Sequence, residues 1–132
     1  MADQLKFELV SPERLLLSRD VEGVVIPGAD GDLTVLPAHM PLMTTIRPGV
    51  IEVMGGAVDH PRIFVGGGFA EITPQGLTVL AEEAIPMDQV DPEKLAQRIS
   101  DLREDVADAK DDDSRLRASD ELSDLLQIQA SL

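Results

Sequence analysis

The chain has 132 residues, 43% of them hydrophobic but only 2% aromatic, with no cysteine and a net charge of −14. That length suits one domain, or one compact domain with an appendage. The charge disfavours nucleic acid and anionic lipid surfaces, both of which are gripped by Lys and Arg, and the absence of cysteine excludes disulfides, thiolate catalysis and Cys-based zinc sites.

The N-terminus, MADQLKFELVSPE, has acidic and polar residues where a signal peptide would carry a basic and then an apolar region. No run approaches the ~20 apolar residues of a membrane span, so a soluble, cytosolic chain is expected. LKFELV then alternates, with Leu5, Phe7 and Leu9 on one face and Lys6 and Glu8 on the other. GVVIPG, LTVLP, VIEVMGG, RIFVGGGF, FAEIT and LTVLAEEA follow as short apolar runs. They are separated by Gly55-Gly56, Gly66-Gly67-Gly68 and Pro74-Gln75-Gly76. Short strands closely spaced by turn signals predict a β-sandwich or barrel. Its core must be built from Val, Ile, Leu and Met, because Phe7, Phe64 and Phe69 are the only aromatics.

All ten glycines lie at or before Gly76 and all nine prolines at or before Pro92. Beyond that point the grammar is helical. Asp91-Pro92-Glu93 reads as a helix start, with an Asp cap and Pro where its missing N–H does no harm. Leu95, Ile99, Leu102, Val106 and Ala109 then form one apolar stripe, and Ala118, Leu122, Leu125 and Leu126 a second. Asp111-Asp112-Asp113 would oppose the dipole at a helix C-terminus but suits the start of the next helix. A tight turn is therefore expected near residues 110 to 114. The predicted architecture is an N-terminal β-sandwich of antiparallel strands over residues 1–87, then a C-terminal antiparallel helical hairpin over 88–132.

The candidate chemistry is thin. His39 stands between Pro37 and Pro41 in LTVLPAHMPLMTTIRPGV. Catalysis would need a converging nucleophile or carboxylate, yet nearby Thr44 and Thr45 lie in a strand-like run and there is no G-x-S-x-G elbow. His60, beside Asp59 in a hairpin turn, is the only other histidine, and no H-x-x-x-H pairing offers a metal site. Gly66-Gly67-Gly68 precedes a strand rather than a helix, so a bulge or a close approach of backbones is expected instead of a phosphate cradle. Glu82 and Glu83, with Asp88 and Asp91, suit a solvated edge and linker. Asp30-Gly31-Asp32 is a turn signature without the spaced ligands of a calcium loop. These residues read as a non-catalytic β domain with a helical arm, needing no cofactor and no metal.

Taken together, LTVLPAHMPLMTTIRPGV resembles the signature of the epsilon subunit of F-type ATP synthases, usually written around L-G-I-L-P-G-H-x-P-L-L-T. ELVSPERLLLS is similar to that family's opening strand and turn, and Asp30-Gly31-Asp32-Leu33 to its acidic G-E-L turn. Gly67-Gly68-Phe69 with Glu71 resembles its S-G-G-F-x-E-V, and Leu77 to Ala81 its last strand. The resemblance spans the whole chain and implies the same two-part fold. It further implies a non-catalytic rotor subunit that helps couple proton-driven rotation to ATP synthesis. The implied partners are the gamma subunit and the c ring, with alpha and beta subunits reached through the arm. Nucleic acid is not among them, and membrane association, at the cytoplasmic face of the cell inner membrane, comes only through the complex. Asp30, Gly31 and Asp32 would face the c ring, with His39 on the neighbouring loop.

Some positions depart from the family pattern. Thr34 and Ala38 replace two glycines, and the turn is expected to tolerate Ala38. In some relatives the arm binds ATP through I-D-x-x-R-A. Here the segment reads Val90-Asp91-Pro92-Glu93-Lys94-Leu95, so only Asp91 is retained, and Lys94 lacks the planar fork of Arg. Ile85 and Asp101 stand where the family has a Glu and a second Arg. In other relatives a basic arm extends and inhibits hydrolysis; from Asp91 onward this one carries 12 acidic and 6 basic residues. A weak or non-inhibitory arm without ATP binding is therefore expected. The alternatives are an ATP-sensing inhibitor and a free-standing adaptor or small enzyme with its own pocket.

Overall fold

The computed structural model describes residues 4–132, and the chain divides into two compact units between Asp88 and Gln89. The first unit contains β1 Leu5–Val10, β2 Leu15–Val21, β3 Gly23–Gly28, β4 Gly31–Val35, β5 Leu42–Met54, β6 Arg62–Thr73, β7 Gly76–Ala81 and β8 Ala84–Pro86. The strands pair in the order β2-β1-β7-β6-β5-β3-β4, with β8 on β6. Only β1 and β7 run parallel.

The sheet folds over itself as a sandwich because one face of every long strand is apolar. Leu5, Phe7 and Leu9 of β1 meet Ile26, Ile51, Val65, Ile72, Leu77 and Val79 in a single buried core. Phe7 is the one aromatic in that core, and most of its aliphatic partners are β-branched Val and Ile, which stack well on pleated strands.

Two local features differ from the sequence expectation. Gly66-Gly67-Gly68 does not separate strands; it lies inside the 12-residue β6, whose pairing with β5 runs through it without a shift. The glycines serve close approach. Gly68 has φ +148, and a Cβ there would collide with the Leu80 carbonyl of β7. Ala38 does take the left-handed conformation, at φ +61, so the turn accommodates alanine only with the strain that L-residues carry there.

The second unit is a pair of antiparallel helices, α1 Pro92–Asp108 and α2 Asp112–Ala130. The turn is shorter than expected, because Asp111 itself caps α2. Its Oδ1 accepts the Ser114 amide at 2.7 Å and its Oδ2 the Ser114 hydroxyl at 3.1 Å. These bonds, the backbone one foremost, hold the Asp111 carboxyl below its ordinary range. Arg115 donates to the Ala109 carbonyl at 3.2 Å and so covers the end of α1. Leu95, Ile99 and Leu102 of α1 are buried, as are Leu125 and Ile128 of α2, where Ile128 lay outside the expected stripe. Arg98 joins the helices through Glu121 at 2.7 Å, and this hydrogen bond favours its charged form. No helix among the described residues is long and apolar enough to cross a membrane.

Candidate functional site

The six residues between β4 and β5 carry His39. Pro37 and Pro41 fix φ on either side, and the His39 amide donates to the Leu36 carbonyl at 3.2 Å. His39 Nδ1 lies 2.7 Å from the Met40 carbonyl oxygen. A carbonyl only accepts, so Nδ1 carries the proton and the ring is turned into its own loop. Thr44, five residues on, donates to the Thr45 carbonyl at 3.0 Å rather than to the imidazole. Among the described residues no three His, Asp or Glu side chains converge on a metal-sized site. The ring is therefore equipped to shape a loop, whose tip is Met40, 80% exposed.

Ala29 and Asp30 make the tight turn between β3 and β4, which closes on the Gly28–Gly31 pair with Gly31 at φ +131. Asp30 and Asp32 are exposed, and neither has an ion-pair partner among the described residues. The turn is consecutive with the His39 loop in the chain, but β4 separates them. Leu36 begins the His39 loop at the far end of β4: a Cβ added to Gly23 would fall 2.8 Å from Leu36 Cδ2. Five residues of strand put roughly 16 Å between the two ends. No hydrogen bond or ion pair links Asp30 or Asp32 to His39.

A third feature escaped sequence reasoning. On the outer face of the sandwich, the register aligns Thr45, Phe69, Leu80, Val10 and Leu15 in one row across β5, β6, β7, β1 and β2. Such a row spans roughly 19 Å. Phe69, Leu80 and Leu15 are 37%, 46% and 55% exposed. The adjacent row holds Met43, Glu71, Thr78, Glu8 and Ser18. Outward positions of a solvated sandwich are normally polar. The signal was present in Val79-Leu80-Ala81 and Gly68-Phe69-Ala70, where apolar residues occupy both faces of a strand.

Asp91 is the N-cap of α1. Its Oδ1 accepts the Glu93 amide at 2.9 Å and the Lys94 amide at 3.4 Å. Oδ1 is thus engaged by the helix start.

Residues 4–87 match the family model described as the ATP synthase, Delta/Epsilon chain, beta-sandwich domain. The ATP synthase epsilon chain of Mesorhizobium japonicum is 52% identical over 132 residues, covering 100% of this chain and 98% of that one. That of Parvibaculum lavamentivorans is 50% identical over 129 residues, with 98% of each covered. Among solved structures, a chain in the Euglena gracilis mitochondrial ATP synthase (OSCP/F1/c-ring, rotational state 1) superposes with a TM-score of 0.78 at 22% identity. The match covers 97% of this chain and 81% of that one. A chain in the central stalk/c-ring structure of the Tetrahymena thermophila mitochondrial enzyme gives 0.71 at 10% identity, covering 98% and 96%. At those identities the likeness is one of fold.

Proposed function

Because this chain belongs to the ATP synthase delta/epsilon family, we propose that it works as a non-catalytic part of the central rotor. In this reading it binds the gamma subunit and the c ring, and it helps carry proton-driven rotation to the sites of ATP synthesis. It acts at the cytoplasmic face of the inner membrane, held there by the complex. The observation that carries the reading is the outer-face row of Phe69, Leu80 and Leu15. Apolar side chains aligned over four strands, β6, β7, β1 and β2, are the composition of a contact core rather than of a solvated surface. The exposed carboxylates of Asp30 and Asp32 supply a second contact, suited to a cationic surface on a partner. His39 holds the shape of the loop that ends in Met40. None of these features needs a nucleophile, a base or a cofactor.

The arm in this reading is a weak or non-inhibitory element. Its 12 acidic and 6 basic residues oppose docking against an acidic surface of the beta subunits. ATP sensing is disfavoured because Asp91 is committed to capping α1 and Lys94 stands where the family motif has Arg.

Size-exclusion chromatography with a gamma-containing catalytic core tests the rotor reading. Stoichiometric co-elution is the expected result, and elution of the chain alone at low salt, with a core that binds its own epsilon subunit, overturns it. Calorimetry with ATP is expected to give no heat of binding at micromolar concentrations. Deleting residues 90–132 is expected to leave ATP hydrolysis nearly unchanged, and a large rise in rate would refute the weak-arm reading.

A further inference from the structure

Asp30–Gly31 is the only Asp-Gly step in the chain. It lies where β3 turns into β4, and residues 29–32 are exposed one after another. Hairpins with two-residue turns usually place positive φ on the turn residues themselves. Here neither Ala29 nor Asp30 has it, and the left-handed conformation falls on Gly31, at φ +131. A Cβ built on Gly31 would meet nothing within 4 Å beyond its chain neighbours. The Asp30 carboxylate has neither an ion-pair nor a hydrogen-bond partner among the described residues. A free carboxyl group therefore stands beside a main-chain amide that no side chain crowds.

We propose that the folded hairpin presents Asp30–Gly31 as a site of spontaneous isoaspartyl modification. The reaction is intramolecular, and its two groups are already neighbours, which removes the entropic cost of bringing them together. The Gly31 nitrogen bonds to Asp30 Cγ, and its proton leaves with the carboxyl hydroxyl as water, closing a cyclic imide. Water then adds to one of the two imide carbonyls. Addition at Cγ breaks the new bond and restores aspartate. Addition at the original main-chain carbonyl breaks the original peptide bond instead, so the chain now runs through Cβ and Cγ. One water leaves and one returns, and no oxidant, metal or second substrate enters. The product keeps its carboxylate, but the main chain gains an atom inside the turn that closes on the Gly28–Gly31 pair. The acidic tip thus changes shape without changing charge. An exposed isoaspartyl carboxylate is also the class of group that isoaspartyl carboxyl methyltransferases accept. The fold withholds the same chemistry at Asp113–Ser114. There the Ser114 amide donates to Asp111 Oδ1 at 2.7 Å, within the first turn of α2.

Ageing the full chain under warm, mildly acidic conditions tests this, once folded and once unfolded in guanidinium chloride. Isoaspartate is located by peptide mapping and counted by methyl transfer from labelled S-adenosylmethionine with an isoaspartyl methyltransferase. Exposed hairpin tips open locally at little cost, so Asp30 in the folded chain should convert at no less than about a tenth of its unfolded rate. Asp113 should be slowed by more than that factor, because its neighbour's amide is held by the helix cap. In Asp30→Glu, where the ring would be larger, label in the peptide holding residues 30 and 31 should vanish while circular dichroism shows an intact fold. Slowing of Asp30 by more than about tenfold on folding, or label that persists there in Asp30→Glu, overturns the proposal. The readout is independent of binding to any rotor partner.

Discussion

Truncating the outer-face row is the most direct probe of the contact surface. In Leu15→Ala/Phe69→Ala/Leu80→Ala, the atoms removed are those standing 55%, 37% and 46% exposed in the free chain. Fully burying such a side chain is worth about 1.5–3 kcal/mol. Covering only the exposed fractions therefore amounts to roughly 2–4 kcal/mol for the three together. Association also has costs that area does not capture, so the lower end is the safer figure. The dissociation constant for a purified gamma partner, read by calorimetry or surface plasmon resonance, should rise by about 30-fold or more. Leu116→Ala is the matched control. It removes a comparably exposed leucine that belongs to α2 and not to the row, and should shift the constant by less than about twofold. If the triple variant binds within about threefold of the unmodified chain while circular dichroism shows an intact fold, the row is not the gamma contact.

Other outcomes concern the scaffold. Gly68→Ala should cost about 3 kcal/mol or more, measured by denaturant unfolding, because the new Cβ meets the Leu80 carbonyl and φ is +148. Ala38→Gly should leave stability unchanged or raise it by up to about 1 kcal/mol, as relief of the left-handed strain at φ +61 offsets the added chain entropy. Acid should fray the first turn of α2. The Asp111 carboxyl titrates lower in the folded chain than in the unfolded one. Its cap thus contributes fully above the ordinary carboxylate pKa of about 3.9 and is lost as pH falls through the folded value. The Ser114 amide resonance should follow that loss, and Asp111→Asn should abolish the pH dependence.

The parts of the fold that were legible are those in which one local rule acts alone. Alternation in LKFELV and the Asp91-Pro92 helix start are written within a few residues, and the structure places them as read; the acidic run does open α2, but with Asp111 as its cap the turn is shorter than the expected 110–114. The triple glycine was half legible. Its role in close approach follows from residue type, but its place inside β6 depends on pairing with β5 and β7 on both sides. Ile128 was missed because the stripe on α2 was read from its leucines, whereas burial depends on packing that helical spacing alone does not reveal. The outer row is legible only in part, as apolar residues on both faces of β6 and β7, and its alignment is not. Phe69, Leu80 and Leu15 are far apart in sequence, and only strand order and register bring them into line.

Strand order also alters what the family resemblance implies for Asp30–Asp32 and His39. Treated as neighbouring loops, they suggest one contact. With β4 between them, the acidic turn and the Leu36 start of the His39 loop are roughly 16 Å apart, beyond the ~8–10 Å Debye length of physiological salt. The two ends must therefore act by different physics. Asp30→Lys/Asp32→Lys should weaken association with the ring-bearing complex strongly at about 50 mM salt and much less at about 300 mM, where surface charge is screened. Leu36→Ala should weaken it by a similar factor at both, since apolar burial is not screened. Sites this far apart are expected to add, so the triple variant should lose the sum of the two effects to within about 0.5 kcal/mol. Equal salt dependence in the acidic-turn and Leu36 variants, or a triple variant no worse than either, would return the two ends of β4 to a single contact and refute the separation.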